Sequence, residues 1–237
     1  MTYEERVTND LKIWKRQMLR GPGVFSKVSK RIQNKINSWI PEKVHQGITV
    51  TIKQMIRGVL FGAKWTTKEK EYSSLVARDL AAEEKIKFYK HTAATEGAIT
   101  GAGGLLLGLA DFPLLIAIKI KLLFELASIY GYNTKDYKER LFILYIFQLA
   151  FSSPQHRKKV FLEMINWDQK AKELPEDINE FDWRNFQQEY RDYIDLAKMA
   201  QLVPIIGAPV GAIANYQLIR KLGRTAMNAY RMRRREN

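Results

Sequence analysis

Three carboxylates punctuate one apolar stretch: Glu96, Asp111 and Glu125. Asp111 opens the segment that carries Glu125, so the three can converge. A carboxylate triad can exchange protons with a substrate or hold a divalent cation. Lys119 and Lys121 lie between Asp111 and Glu125. Capping by Asp111 and ion pairs to those lysines explain the same acids with fewer assumptions. The candidate polar site therefore begins as Glu96, Asp111, Lys119 and Glu125, with no catalytic role assigned to any of them.

Other chemistry is excluded by spacing. GAITGAGG resembles a phosphate loop, but Walker A needs a lysine and a hydroxyl after its last glycine, and Gly104 is followed by Leu105 and Leu106. The dinucleotide fingerprint fails as well, because Leu106 stands where a third glycine should follow Gly101 and Gly103. His45, His91 and His156 are far apart and lack metalloprotease spacing. Glu42 and His45 form one ExxH pair, whereas a di-metal bundle site needs two such pairs and two further carboxylates. The chain has no cysteine, so disulfides and thiolate zinc sites are ruled out. No metal and no cofactor is expected.

The elements that must position the polar site read as helices. Gly97 and Gly101, then Gly104 and Gly108, recur four apart, a spacing that lets a second backbone approach one helix face. Asp111 suits an N-cap and Pro113 a first turn, so a sharp corner over 110–113 should lead into a helix over 112–130 that ends at Gly131. Upstream, Thr2 and Glu5 have capping-box spacing, and Val7, Leu11, Trp14 and Met18 follow at helical spacing up to Gly21-Pro22-Gly23. A second helix carries Phe25, Val28, Ile32, Ile36 and Trp39, and a third carries Val44, Ile48, Ile52, Met55 and Val59. Thr66 and Glu69 offer another capping box for a helix over 68–94. The segment 133–154 reads as a capped helix, apolar nearly all round over 141–151 and therefore buried. A more polar helix over 155–174 precedes an acidic loop at 174–182, after which Asp182 can cap a helix to about residue 199.

The stretch 199–219 has no formal charge and is long enough to span a bilayer. Pro204, Pro209, Gln201, Asn215 and Gln217 argue against a simple transmembrane helix. Gly207 and Gly211 repeat the four-residue glycine spacing, so this helix is expected to pair with the first glycine-rich one or to dip into a membrane interface. No segment alternates with period two between hairpin turns. The expected fold is all-α, a single multi-helix bundle over 1–237 with two close-packed glycine-rich helices at its centre. Within it, 1–62 supplies basic amphipathic helices, 63–173 the central helices, and 174–237 the second glycine-rich helix and a basic tail.

Charge points to polyanionic partners. The net charge is +14 over 237 residues. Residues 1–58 hold twelve Lys or Arg against four acids, a surplus of eight. A basic amphipathic helix edged with aromatic residues is an interfacial membrane signature, although an ordinary surface helix shares the pattern. The membrane-surface candidates are Lys27, Lys30, Arg31 and Lys35 in the second helix, and Arg231, Arg233, Arg234 and Arg235 in the tail. The opening MTYEERVTNDLK has no apolar run behind a basic start, so export is not expected. No zinc pattern, RNP motif, KH loop or helix-turn-helix supports nucleic-acid binding, which is not expected.

Two long blocks carry a family resemblance. GAITGAGGLLLGLADFPLLIAIKIKLLFELASIYGYNTKD resembles the signature of the EcsC family, and VPIIGAPVGAIANYQLIRKLGRTAMNAYRMRR resembles its second hallmark. The opening, with INSWIPEKVHQGIT, is similar to the family as well. The resemblance implies a bacterial protein encoded beside the ATPase and membrane subunits of an EcsAB-type ABC transporter linked to secretion and intramembrane proteolysis. It implies no defined activity and carries over no catalytic residue. It adds Asn215 and Tyr216 to the candidate polar site. The resulting expectation is a non-enzymatic accessory protein, peripheral at the cytoplasmic face of an anionic membrane, with transporter subunits as partners. The alternatives are a hydrolase acting on lipid or peptide around Asp111, and a nucleic-acid binder.

Overall fold

The computed structural model describes residues 1–20, 42–62, 67, 71–102, 110–153, 156–193 and 208–236. Among them there is no strand, and the elements are helices α1 (Tyr3–Leu19), α2 (Glu42–Phe61), α3 (Leu75–Ala102), α4 (Phe112–Ile129), α5 (Tyr137–Phe151), α6 (Arg157–Ile165), α7 (Trp167–Glu173), α8 (Trp183–Tyr193) and α9 (Ala208–Glu236). The chain is all-α.

Capping explains several of these boundaries. Thr2 and Glu5 form both bonds of a capping box, Glu5 N–H to Thr2 Oγ1 at 3.2 Å and Thr2 N–H to Glu5 Oε2 at 2.9 Å. Asp136 caps α5 by accepting from Lys138 N–H, and Asp182 accepts from Asn185 N–H at the start of α8. Gly131 ends α4 with φ +85°. Its N–H bonds Ser128 O, and Tyr132 N–H bonds Ala127 O, the paired pattern that a left-handed residue makes possible.

Three expectations require correction. Asp111 stands before α4 but makes no side-chain cap bond, because its backbone is α-helical (φ −88°, ψ −4°) rather than extended, so its carboxylate is not swung over the first amides. The helix expected over 68–94 begins instead at Leu75, where Ser74 Oγ accepts from Ala77 N–H, and runs on to Ala102. Thr67 lies outside it, tied to Thr134 and to Phe124 O, while Thr66 and Glu69 fall outside the described residues. The helix expected over 155–174 is two helices, broken at Asn166 (φ −113°, ψ 46°).

The most extensive packing is between α9 and α3. Their pairing is antiparallel: Arg231 meets Asp79, Gly223 meets Ile86, and Tyr216 meets Lys90 and His91. α4 lies antiparallel to α3 and parallel to α9, as Lys119 meeting Asn215 and Tyr130 stacking on Tyr230 require. A Cβ added at Gly223 would stand 2.5 Å from Ile86 Cγ1, so this glycine sets the α3–α9 separation. α4 and α5 supply many of the large buried side chains, including Phe112, Phe124, Phe142, Phe147 and Phe151.

Candidate functional site

Lys119 lies on the apolar stripe of α4, one turn from Leu115 and Leu123, and is fully buried. Its Nζ donates to Leu115 O at 3.1 Å and to Asn215 Oδ1 at 3.0 Å. No carboxylate pairs with it among the described residues, and burial alone brings its pKa down to about 7. Asn215 is itself fully buried on α9, so this bond fixes α4 against α9 near the start of both helices. Tyr216 turns the other way, under Lys90 Nζ at 4.8 Å and edge-on to His91. The structure thus joins Lys119 to Asn215 and places Tyr216 on α3.

The three carboxylates do not form a common centre. Glu125 forms an ion pair with Lys85 at 3.1 Å and accepts from Tyr89 Oη at 2.8 Å. Burial pushes its pKa up, but the bonds from Tyr89 and Lys85 and the charge of Lys121 outweigh that and hold it low. Glu96 and Asp111 are half-buried, and no group of three or more His, Cys, Asp or Glu among the described residues is arranged to hold a metal ion. Gly97 is buried within α3. Gly101 and Gly211 lie in helices, whereas Gly104, Gly108 and Gly207 fall outside the described residues.

The tail also departs from expectation. Arg231 and Arg233, named above as membrane-surface candidates, both turn inward. Arg231 bonds Asp79 through Nε and Nη2, each at 3.0 Å, and Asp79 also accepts from Tyr3 Oη and Tyr130 Oη. Arg233 bonds Glu139 Oε2 at 2.7 Å and Asp168 Oδ1 at 2.6 Å, between the faces of Tyr132 and Phe142. Burial would lower the Arg233 pKa, but Glu139, Tyr132 and Asp168 reverse that and raise it. Burial pushes Glu139 up to about 7, against the pull of Arg233 and Tyr230. Helical winding is the reason: α9 extends through the tail, so these arginines project into the bundle, where buried acids wait. Arg234 is exposed. The side chain of Arg235 and residues Lys27, Lys30, Arg31 and Lys35 lie outside what the structure describes.

Asp79, Glu139 and Asp168 were not among the sequence candidates. Glu139 gave no signal, because an acid in the first turn of a helix, here between Lys138 and Arg140, is an ordinary helix-start residue.

The EcsC protein family description matches residues 5–234. The chain belongs to the EcsC family. It is 45% identical over 235 residues to Protein EcsC of Bacillus subtilis (strain 168), covering 98% of this chain and 97% of that one. It is 33% identical over 162 residues to the uncharacterized protein YdbA of the same strain, covering 68% of this chain and 59% of that one. No solved structure matches. Both EcsC blocks coincide with the contacts above: the first contains Lys119, Glu125 and Gly131, and the second contains Asn215, Gly223, Arg231 and Arg233.

Proposed function

We propose that this EcsC-family chain is a non-enzymatic accessory protein of an EcsAB-type ABC transporter, working peripherally at the cytoplasmic face of an anionic membrane. The transporter association rests on the family resemblance. The membrane half rests on one structural observation: exposed cations of α1 and α9 stand side by side around exposed aliphatic side chains. α9 exposes Arg220, Lys221 and Arg224 beside α1, which exposes Lys12, Arg16 and Arg20 together with the aliphatic Ile13 and Leu19. Basic side chains around exposed aliphatic ones favour an anionic lipid surface, by about 1 kcal/mol per cation near it. No helix among the described residues is long and apolar enough to cross a membrane.

The hydrolase alternative lacks comparable support, since Glu125 is engaged by Lys85 and Tyr89 and Asp111 shares no carboxylate cluster. Flotation with vesicles tests the reading. The full chain should float with vesicles containing phosphatidylglycerol at low salt, float less at high salt, and stay behind with phosphatidylcholine alone. Absence of flotation at low salt would refute membrane attachment. Loss of flotation to a modest excess of duplex DNA would favour the nucleic-acid alternative.

A further inference from the structure

We infer that the groove between α1 and α9 binds the headgroup of one anionic phospholipid, an inference that rests on the membrane reading above. The groove has a volume of about 750 Å³ and lies between residues 10–18 of α1 and 217–228 of α9. Its floor is apolar: Trp14 and Leu218 are nearly buried there. Its rim is cationic, with Arg220, Lys221 and Arg224 against the single carboxylate of Asp10.

Two features point to an anionic ligand. Arg220 and Arg224 stand one helical turn apart and have no ion-pair or hydrogen-bond partner among the described residues. Like charges at that spacing repel, and an anion between them removes the repulsion. Further along the same helix, Arg231 and Arg233 meet buried acids. Guanidinium forks suit phosphate oxygens, which accept two parallel N–H bonds.

Two features favour a lipid over free phosphate. The volume falls within the range of pockets that hold ligands of several hundred daltons, so an inorganic phosphate would leave most of it unfilled. The groove also leads toward exposed aliphatic side chains. Tyr3 and Arg231 share Asp79 at one end of the α1–α9 pair, so Leu19 and Ile213 lie toward the other end. Ile213 is 63% exposed, Leu19 is 37% exposed, and Ile13 on the groove wall is 54% exposed. A headgroup held at Arg220 and Arg224 can lay its acyl chains along this line.

Titration calorimetry of the full chain with dihexanoylphosphatidylglycerol below its micelle concentration tests the site, with dihexanoylphosphatidylcholine and inorganic phosphate as parallel arms. Saturable binding of the anionic lipid is expected. It should weaken at least tenfold in Arg220→Glu/Arg224→Glu and persist in Lys135→Glu/Lys172→Glu, which makes the same change in net charge at exposed positions away from the groove. Equal loss in both double variants would reduce the effect to general charge and overturn the site. Equal binding of the zwitterionic lipid, or phosphate binding as tight as the lipid, would also overturn it. Vesicle flotation without binding of the short-chain lipid removes the groove and leaves the membrane reading standing. Binding without flotation does the reverse.

Discussion

Replacing Lys119 with methionine tests whether this lysine is a buried cation held without a counter-charge. Its side chain has no exposed surface, and burial brings its pKa down to about 7 from 10.5. Between those values the unfolded chain binds the proton and the native chain does not, so stability rises with pH across that window. At about 1.4 kcal/mol per pH unit, the native state at pH 7 is less stable by about 4 kcal/mol than with a neutral group of the same shape, and at pH 9 by about 2 kcal/mol. Methionine nearly matches lysine in volume and removes the charge, a change that is often stabilising for a buried ion. It also removes the bonds to Leu115 O and Asn215 Oδ1, at about 1 kcal/mol each. Lys119→Met should therefore be more stable than the wild type by about 2 kcal/mol at pH 7, and the gap should close by pH 9. Urea unfolding followed by far-ultraviolet circular dichroism, with both proteins at pH 7, 8 and 9, measures that gap. A difference that does not change with pH would refute the reasoning, because only the proton on Lys119 supplies the slope.

Two further outcomes follow from the corrected contacts. Arg233→Met should cost about 3–5 kcal/mol, since it leaves Glu139 buried without its cation. Glu139 already titrates near 7 with Arg233 beside it, and losing that cation raises it further, so the variant should lose more stability than the wild type as pH rises from 5 to 8 in the same unfolding assay, and Glu139→Gln on top should flatten that dependence. Asp136→Ala should cost about 1 kcal/mol through a lost cap, whereas Asp111→Ala should cost under about 0.5 kcal/mol; thermal melts of the two variants distinguish them.

Local signals in the chain were sufficient for several of the described helices and some of their ends, while the helix expected over 25–39 lies outside the described residues. The Thr2–Glu5 box, the Asp136 cap and the Gly131 turn each depend on residues within a few positions of one another, so their chemistry can be read directly from the sequence. Lys119 reads locally as an ion-pair partner for the neighbouring acids; its burial follows from the stripe it shares with Leu115, Leu122, Leu123 and Leu126, which that reading does not weigh. Its partner was not legible either, because Asn215 is 96 positions away. Asp111 misled for a subtler reason: its residue type and position suit a cap, but capping also needs an extended backbone, which the residue type does not dictate.

The arginine-rich tail shows how charge composition can mislocate a surface. Read as a run, Arg231, Arg233, Arg234 and Arg235 look like one patch. Wound into a helix at about 100° per residue, Arg231 and Arg233 turn into the bundle while Arg234 is exposed. The two inward ones find acids 152 and 94 positions away, Asp79 and Glu139. Those pairs bind the end of α9 into the bundle and take two cations off the surface. The net charge of +14 is unaltered by this, but the place where it can act is changed. Arg220 and Arg224, which drew no attention as a motif, are left facing α1 across a groove whose lining holds one acid, Asp10. On the membrane reading proposed above, an anionic surface would meet this protein along the α1–α9 groove, two to three helical turns before the tail.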